Sequence, residues 1–298
     1  MRKYKSKKFK LNEFIIEKLL LLFAGITILT TIAIIYTLFK ESFVFFKEVS
    51  IVEFFTSTKW TPTLKPQNFG VLPLLTGTLM IAVGASIISL PLGLGSAIYL
   101  SEYAPKQARK IIKPILEILA GIPSIVYGYF ALNFITPLLR NILPQTQVFN
   151  AASASIAVGI MTLPMVASLC EDAMMAVPDS IRQGAYALGS TRMEVATKVI
   201  VPATLSSTAA AFLLAISRAI GETMIVAIAA GQSPILTLNP LESIQTMTGF
   251  MANISMGDIQ YGTIEYNTVF AVGALLFVIT FIMNLIAKVV INKRKEQY

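Results

Sequence analysis

The 298-residue sequence contains no histidine and one cysteine, Cys170. The first absence removes imidazole acid–base chemistry, HExxH metal sites and haem ligation by histidine. The second excludes an intrachain disulfide. Charged residues are equally scarce, 13% of the chain, against about 25% in soluble domains. No GxxxxGK[ST] phosphate-binding loop and no GxSxG nucleophile elbow occurs, so ATP hydrolysis and serine hydrolase chemistry find no support in this chain. What is abundant is apolar: 55% hydrophobic residues and a mean hydropathy of +0.71. The apolar runs exceed the roughly 18–20 residues that cross a bilayer as a helix, whereas a membrane barrel would show short alternating segments. The expected class is an all-α polytopic membrane protein.

Six spans are expected. Residues 1–18 form a basic segment with Arg2, Lys3, Lys5, Lys7, Lys8, Lys10 and Lys18. Residues 19–39 carry no charge and are longer than the apolar part of a signal peptide, so they read as an anchored first transmembrane helix. Residues 40–70 form an extracytoplasmic segment whose aromatics (Phe43, Phe45, Phe46, Phe54, Phe55 and Trp60) suit a membrane interface. Residues 71–291 hold five further spans, near 71–100, 111–139, 151–170, 205–231 and 268–290. A polar loop, 171–204, and a long loop, 232–267, lie among them, and 292–298 form a tail. Gly77, Gly84, Gly93 and Gly95 in the second span allow close helix contacts. With this layout 18 of the 24 Lys and Arg fall on one side, and the 232–267 loop has none. The positive-inside rule then places both termini and the 171–204 loop in the cytoplasm. Asn253-Ile254-Ser255 is a formal glycosylation sequon with no further support.

The 171–204 loop reads as two short helices. Pro178 and Asp179 suit a helix start, Gly189 suits a stop, and Thr191-Arg192-Met193-Glu194 has the form of a capping box. The second helix should end near Pro202. This spacing resembles the cytoplasmic signature of ABC importer permeases: Glu-Ala-Ala, three residues, Gly, nine residues, Ile, one residue, Leu-Pro. Here Gln183-Gly184-Ala185 precede Tyr186, Gly189 follows at the family's spacing, and Val199-Ile200-Val201-Pro202 close the pattern. Gln183 and Gly184 depart from the signature, which puts in doubt any contact needing the glutamate charge. The resemblance implies a type I ABC importer permease fold, with Gln183, Gly184, Ala185, Tyr186, Gly189 and Pro202 in the loop that couples to an ATPase subunit.

The apolar stretch 205–231 carries Arg218 and Glu222. Each charge costs roughly 2.5–3.5 kcal/mol at bilayer depth on insertion scales. Spaced four apart, they would share one helical face. They could form a structural ion pair, or Arg218 could stabilise an anion in transit with Glu222 setting its position, since a planar guanidinium suits oxyanions. Glu117 is a further candidate, although an interfacial, solvated glutamate is the plainer reading. Thr223 could donate to an oxyanion or bond back to its own helix. The methionines read as packing, and no metal site is expected.

Ser217-Arg218-Ala219-Ile220-Gly221-Glu222-Thr223-Met224 resembles the RAxGET motif of phosphate ABC transporter permeases. Tyr99-Leu100-Ser101-Glu102-Tyr103-Ala104, Gly121-Ile122-Pro123-Ser124 and Trp60-Thr61-Pro62 extend the similarity toward the PstC type. The resemblance runs from about residue 15 to 290. It implies a noncatalytic subunit, with ATP and Mg2+ bound by a partner and no cofactor on this chain. The implied partners are a PstA-like permease, two PstB-like ATPase subunits and an external PstS-like phosphate-binding protein, in a cytoplasmic membrane. It also implies that Arg218 and Glu222 belong to the translocation path. A PstA-like subunit, a permease for sulfate or molybdate, and an ion-coupled transporter or channel are the alternatives. No nucleic-acid partner is indicated.

Overall fold

A computed structural model describes residues 7–257 and 259–292. Parts of the basic amino-terminal run and the Lys293-Arg294-Lys295 tail lie outside the described residues. Among the described residues, four helices are long and apolar enough to cross a bilayer, and two bent helix pairs raise the number to six if each pair is one span. The expected count of about six is the upper end of this range of four to six.

Helix α1 (Lys7–Glu48) has 42 residues, about 63 Å at 1.5 Å per residue. It outlasts the expected 19–39 span and the roughly 30 Å hydrocarbon layer. Its apolar window is not buried by the rest of the chain, as expected of a surface that faces lipid. Its far end packs on the last helix, α13 (Ile264–Asn292), where Phe39 meets Phe277 edge-on.

A short helix α2 (Ile51–Thr56) and a two-stranded ribbon, β1 (Trp60–Thr61) and β2 (Asn68–Phe69), follow. Trp60 pairs with Phe69 across the ribbon. The aromatics expected at an interface divide into a buried group and an exposed one. Phe45, Phe54 and Trp60 are fully buried and interlock edge to face, with Phe54 against both Phe45 and Trp60. Phe43 and Phe55 remain exposed. Burial of a large apolar ring outweighs its interfacial preference once other rings are there to meet it.

Helices α3 (Leu72–Ile98), which runs on through a π-helical turn at Tyr99–Tyr103, and α7 (Ala151–Met175) form the central pair. They approach through glycine: a Cβ on Gly93 would lie 2.6 Å from Val166 Cγ1, and one on Gly159 would lie 3.1 Å from the Ala85 carbonyl. Small residues let helix backbones close in membranes, where apolar burial alone gives little drive.

The third expected span, 111–139, is corrected. Helix α4 (Lys106–Ala120) ends at Gly121, and α5 (Ser124–Phe130) departs at 89° after Pro123. α5 continues through a π-helical turn, Ala131–Ile135, into α6 (Thr136–Ile142). No residue of α4 is buried. One face presents Lys106, Lys110 and Lys113, and the other Ile111 and Ile115, the pattern of an interfacial helix. The expected straight span is therefore divided at Gly121-Ile122-Pro123.

The fifth expected span, 205–231, is corrected too. Helix α8 (Asp179–Ala187) is followed by α9 (Arg192–Glu194), a π-helical turn (Val195–Ile200) and α10 (Val201–Ala203). The chain bends by 73° into α11 (Leu205–Ile220). α11 stops at Gly221, and helical structure resumes only at Met224, through a π-helical turn at Val226–Ala230. Gly221 and Thr223 are poor helix formers, and the break sits on them. Within the presumed loop 232–267, helix α12 (Met247–Met256) folds inward, with Met247, Thr248 and Phe250 buried. Hydrophobic periodicity gave little sign of so short a helix.

Candidate translocation site and coupling loop

The break at 221–223 is stitched by polar groups drawn from several elements. Glu222 is 9% exposed, and its Oε1 accepts the Ile225 N–H at 3.3 Å. The Thr248 hydroxyl, reaching in from α12, donates to the Glu222 carbonyl at 2.6 Å. Thr246 caps α12 by accepting the Gly249 N–H, and its hydroxyl lies 3.1 Å from that of Thr248. Thr78 of α3 accepts the Met247 N–H at 3.0 Å. Irregular backbone at membrane depth persists only where protein groups satisfy it.

The structural ion pair, one of the two readings of Arg218 and Glu222, is not formed. Because α11 ends at Ile220, the four-residue spacing no longer sets both side chains on one face. Among the described residues neither takes part in an ion pair, and Arg218 is exposed without a hydrogen bond. A guanidinium left open in this way presents its planar fork to whatever lies beside the subunit. The Thr223 hydroxyl donates to the Gly221 carbonyl at 3.3 Å. Glu117 stands apart on α4, exposed, where it lines a shallow cavity of about 520 Å³ with Lys106, Arg109, Lys110, Lys113 and Pro114. The structure does not join Glu117 by hydrogen bond or ion pair to Arg218 or Glu222. Among the described residues no group of three carboxylates or thiols could hold a metal.

The loop between α7 and α11 is built as its sequence suggests. Gly189 has φ +83°, in the left-handed region. The Ser190 N–H reaches the Ala185 carbonyl and the Gly189 N–H the Tyr186 carbonyl, which together make a Schellman stop. The Thr191 hydroxyl accepts the Glu194 N–H while the Glu194 carboxylate accepts the Thr191 N–H, completing the capping box. That backbone N–H, with Lys198 Nζ at 3.1 Å, holds the Glu194 carboxyl at about 2. Gln183 and Gly184 are exposed, Ala185 is half-buried, and Pro202 is exposed within α10, which ends at Ala203. A Cβ on Gly184 would meet nothing within 4 Å, so crowding does not forbid alanine there. Tyr186, Leu188 and Met193 project apolar surface outward, Leu188 with 89% of its area exposed.

Two ionic clusters were not anticipated. Arg182 donates to the Met174 and Val177 carbonyls at 2.7 and 2.6 Å and to Glu102 Oε1 at 3.1 Å. Glu171 is fully buried and lies 2.6 Å from Arg109 Nε and 3.0 Å from Lys113 Nζ. Lys113 also reaches Asp172 at 2.7 Å. The available signal was that 171–204 begins with two acids opposite a basic stretch, 101–113. Assigning both to loops concealed the pairing.

A bundle of lipid-facing helices with a broken helix at its core and a capped helix–turn–helix hung between two spans is the architecture of a transport permease subunit. Residues 89–296 match the family described as binding-protein-dependent transport system inner membrane component, and the chain belongs to that family. It is 34% identical over 247 residues to a probable ABC transporter permease protein, YqgH, of Bacillus subtilis, covering 83% of this chain and 80% of the relative. It is 33% identical to the phosphate transport system permease protein PstC of Xylella fastidiosa strain Temecula1, covering 82% and 81%. A bacterial ABC transporter that imports the polysaccharide alginate has the same fold, with TM-score 0.66 and 14% identity over 94% of this chain and 98% of the other. An inward-facing methionine transporter, MetNI, follows with TM-score 0.53 and 20% identity over 74% and 94%.

Proposed function

We propose that this membrane permease subunit imports inorganic phosphate, driven by ATP hydrolysed in a separate subunit. The observation that carries the reading is the RAxGET-like string placed at a helix break, with Arg218 open and Glu222 buried and unpaired beside it. The likeness to PstC relatives supports phosphate as the substrate. Arg218 offers an anion a fork of donors. Glu222 fixes the break and limits how tightly an anion is held, and a transport site must release what it admits. Thr223 stands beside them as a weaker contact.

In this reading the chain pairs with a PstA-like permease. Two PstB-like ATPases carry ATP and Mg2+, and a PstS-like protein delivers phosphate from outside. The loop 176–204 docks on an ATPase through Tyr186, Leu188 and Met193. Both termini face the cytoplasm across the cytoplasmic membrane, as the distribution of Lys and Arg indicates.

The test is phosphate uptake into proteoliposomes holding both permeases and the ATPase, with binding protein outside, ATP inside, and sulfate and molybdate as competitors. Expected is ATP-dependent uptake resistant to both competitors. Arg218→Gln should lower it about 10- to 100-fold while the complex still assembles, the equivalent of one charge-assisted contact of about 1.5–3 kcal/mol. Uptake without ATP, or of a competitor instead, would overturn the proposal.

A further inference from the structure

The carboxyl end of α7 is held from two sides. Arg182 of α8 ties the coupling loop to the Met174 carbonyl in the last turn of α7, to the Val177 carbonyl just beyond it, and to Glu102 at the end of α3. Three residues before Met174, Glu171 is held by Arg109 and Lys113 of α4. A fully buried carboxylate gripped by two cations is an expensive arrangement, weak as evidence for stability and better attested as a device that fixes one geometry.

α4 in turn is braced to the membrane. Across the 89° bend the Tyr127 hydroxyl of α5 donates to the Leu119 carbonyl of α4 at 2.9 Å, with Tyr127 buried. One residue on, Gly128 brings α5 onto the turn that follows the break: a Cβ there would lie 3.1 Å from Ile225 Cα and 3.2 Å from Ile228. Ile225 is the residue whose N–H the Glu222 carboxylate accepts. From α8 to Glu222, every step of this route is therefore a hydrogen bond, an ion pair, direct packing or a continuous helix.

We propose that α4 and α5 act as a rigid elbow that carries movement of the coupling loop to the Glu222 break, with Glu171 and Arg109 as the clamp and Tyr127 as the brace. These are positioning residues, and the inference rests on the importer reading above. The covalent route from α8 to the break passes through the 73° bend at Thr204 and along α11. The elbow reaches the same break from its other side, so movement of α8 would act on both flanks of residues 221–223. Coupling of this kind needs contiguous packed elements that both sites bias, and the contacts above supply them.

The experiment uses the full reconstituted complex and reads two quantities: ATP hydrolysis stimulated by the binding protein, and phosphate imported per ATP. Tyr127→Phe keeps the ring and removes only the brace. Arg109→Gln weakens the clamp while leaving Glu171 paired with Lys113. Each is expected to assemble and hydrolyse ATP, and to raise the ATP spent per phosphate about tenfold. Two links in series predict a double variant no worse than the weaker single, a failure of additivity that separate structural defects would not show. Unchanged stoichiometry in both variants would overturn the inference, as would hydrolysis and uptake falling in parallel. If Arg109→Gln does not assemble, Tyr127→Phe decides alone. Wild-type complex without ATP-driven uptake would instead overturn the importer reading, and this inference with it.

Discussion

Thr248→Val tests whether the break is held open by α12. The two side chains are nearly isosteric, so packing changes little. What is lost is the donor to the Glu222 carbonyl at 2.6 Å and the acceptor for Thr246, in a site where Thr248 is 6% exposed. Leaving a buried acceptor without its partner costs about 1–3 kcal/mol. At the midpoint of that range the expected fall in melting temperature is roughly 4–8 °C for a chain of a few hundred residues. Thr248→Ser keeps the hydroxyl and should stay near wild type. Melting of the purified complex compares all three, and uptake should follow the same order because Glu222 loses one of its anchors. If the valine variant melts with the serine variant, α12 does not support the break, and the reasoning fails.

At the α3–α7 seam, Gly93→Val forces a side chain into contact with Val166 and the Ala167 backbone. Overpacking of about 1–3 kcal/mol or more should lower the yield of monodisperse complex on size exclusion. Gly189→Val places a β-branched residue at φ +83° with open space around it. The cost is conformational, roughly 1–2 kcal/mol, and should speed hydrogen exchange at the Ser190 amide, whereas Gly189→Asn should not. Glu194 is held at about 2 against an ordinary 4.5. Its contribution to the capping box is therefore complete above the ordinary value and is lost as pH falls from there through about 2. Protection of the Thr191 amide, whose N–H the carboxylate accepts, taken relative to an unstructured chain at the same pH, should fall down that window in wild type and lose this pH dependence in Glu194→Gln.

The loop between α7 and α11 was the most legible part of the chain, because its information is local. Pro178, Gly189 and the Thr191–Glu194 pair each specify backbone geometry within a few residues: α8 starts directly after Pro178, Gly189 forms the stop, and Thr191 with Glu194 forms the cap. The spans were legible as composition but not as shape. The hydropathy of 111–139 and of 205–231 is continuous, and nothing in it distinguishes a straight helix from one turned at Gly121-Ile122-Pro123 or halted at Gly221. The Arg218–Glu222 pairing failed for that reason: an i,i+4 argument assumes an unbroken helix. Arg182, Glu102 and Glu171 were missed because their ionic partners lie 58 to 80 residues away, or, for Arg182, are also backbone carbonyls, and spacing carries no sign of either.

The two readings of residues 218–222 also differ in what they require of the environment. A closed intrahelical ion pair would make this subunit self-sufficient at that depth. The observed arrangement does not, since Arg218 is exposed and unbonded among the described residues. A guanidinium facing hydrocarbon costs at least about 2.5–3.5 kcal/mol, so its surroundings in the membrane must include water, an anion or another protein surface. The proposed pairing with a sister permease supplies such surroundings by enclosing a path between the two subunits. The break itself follows from the same demand. An intact α11 would satisfy its own backbone, but it would fix Glu222 on the face of Arg218 and close the pair. Ending the helix at Gly221 separates the two charges, at the cost of freed backbone groups that Thr248 and the Glu222 carboxylate then engage. A stretch without a single Lys or Arg folds inward at 244–250, where the start of α12 is buried and provides one of those bonds.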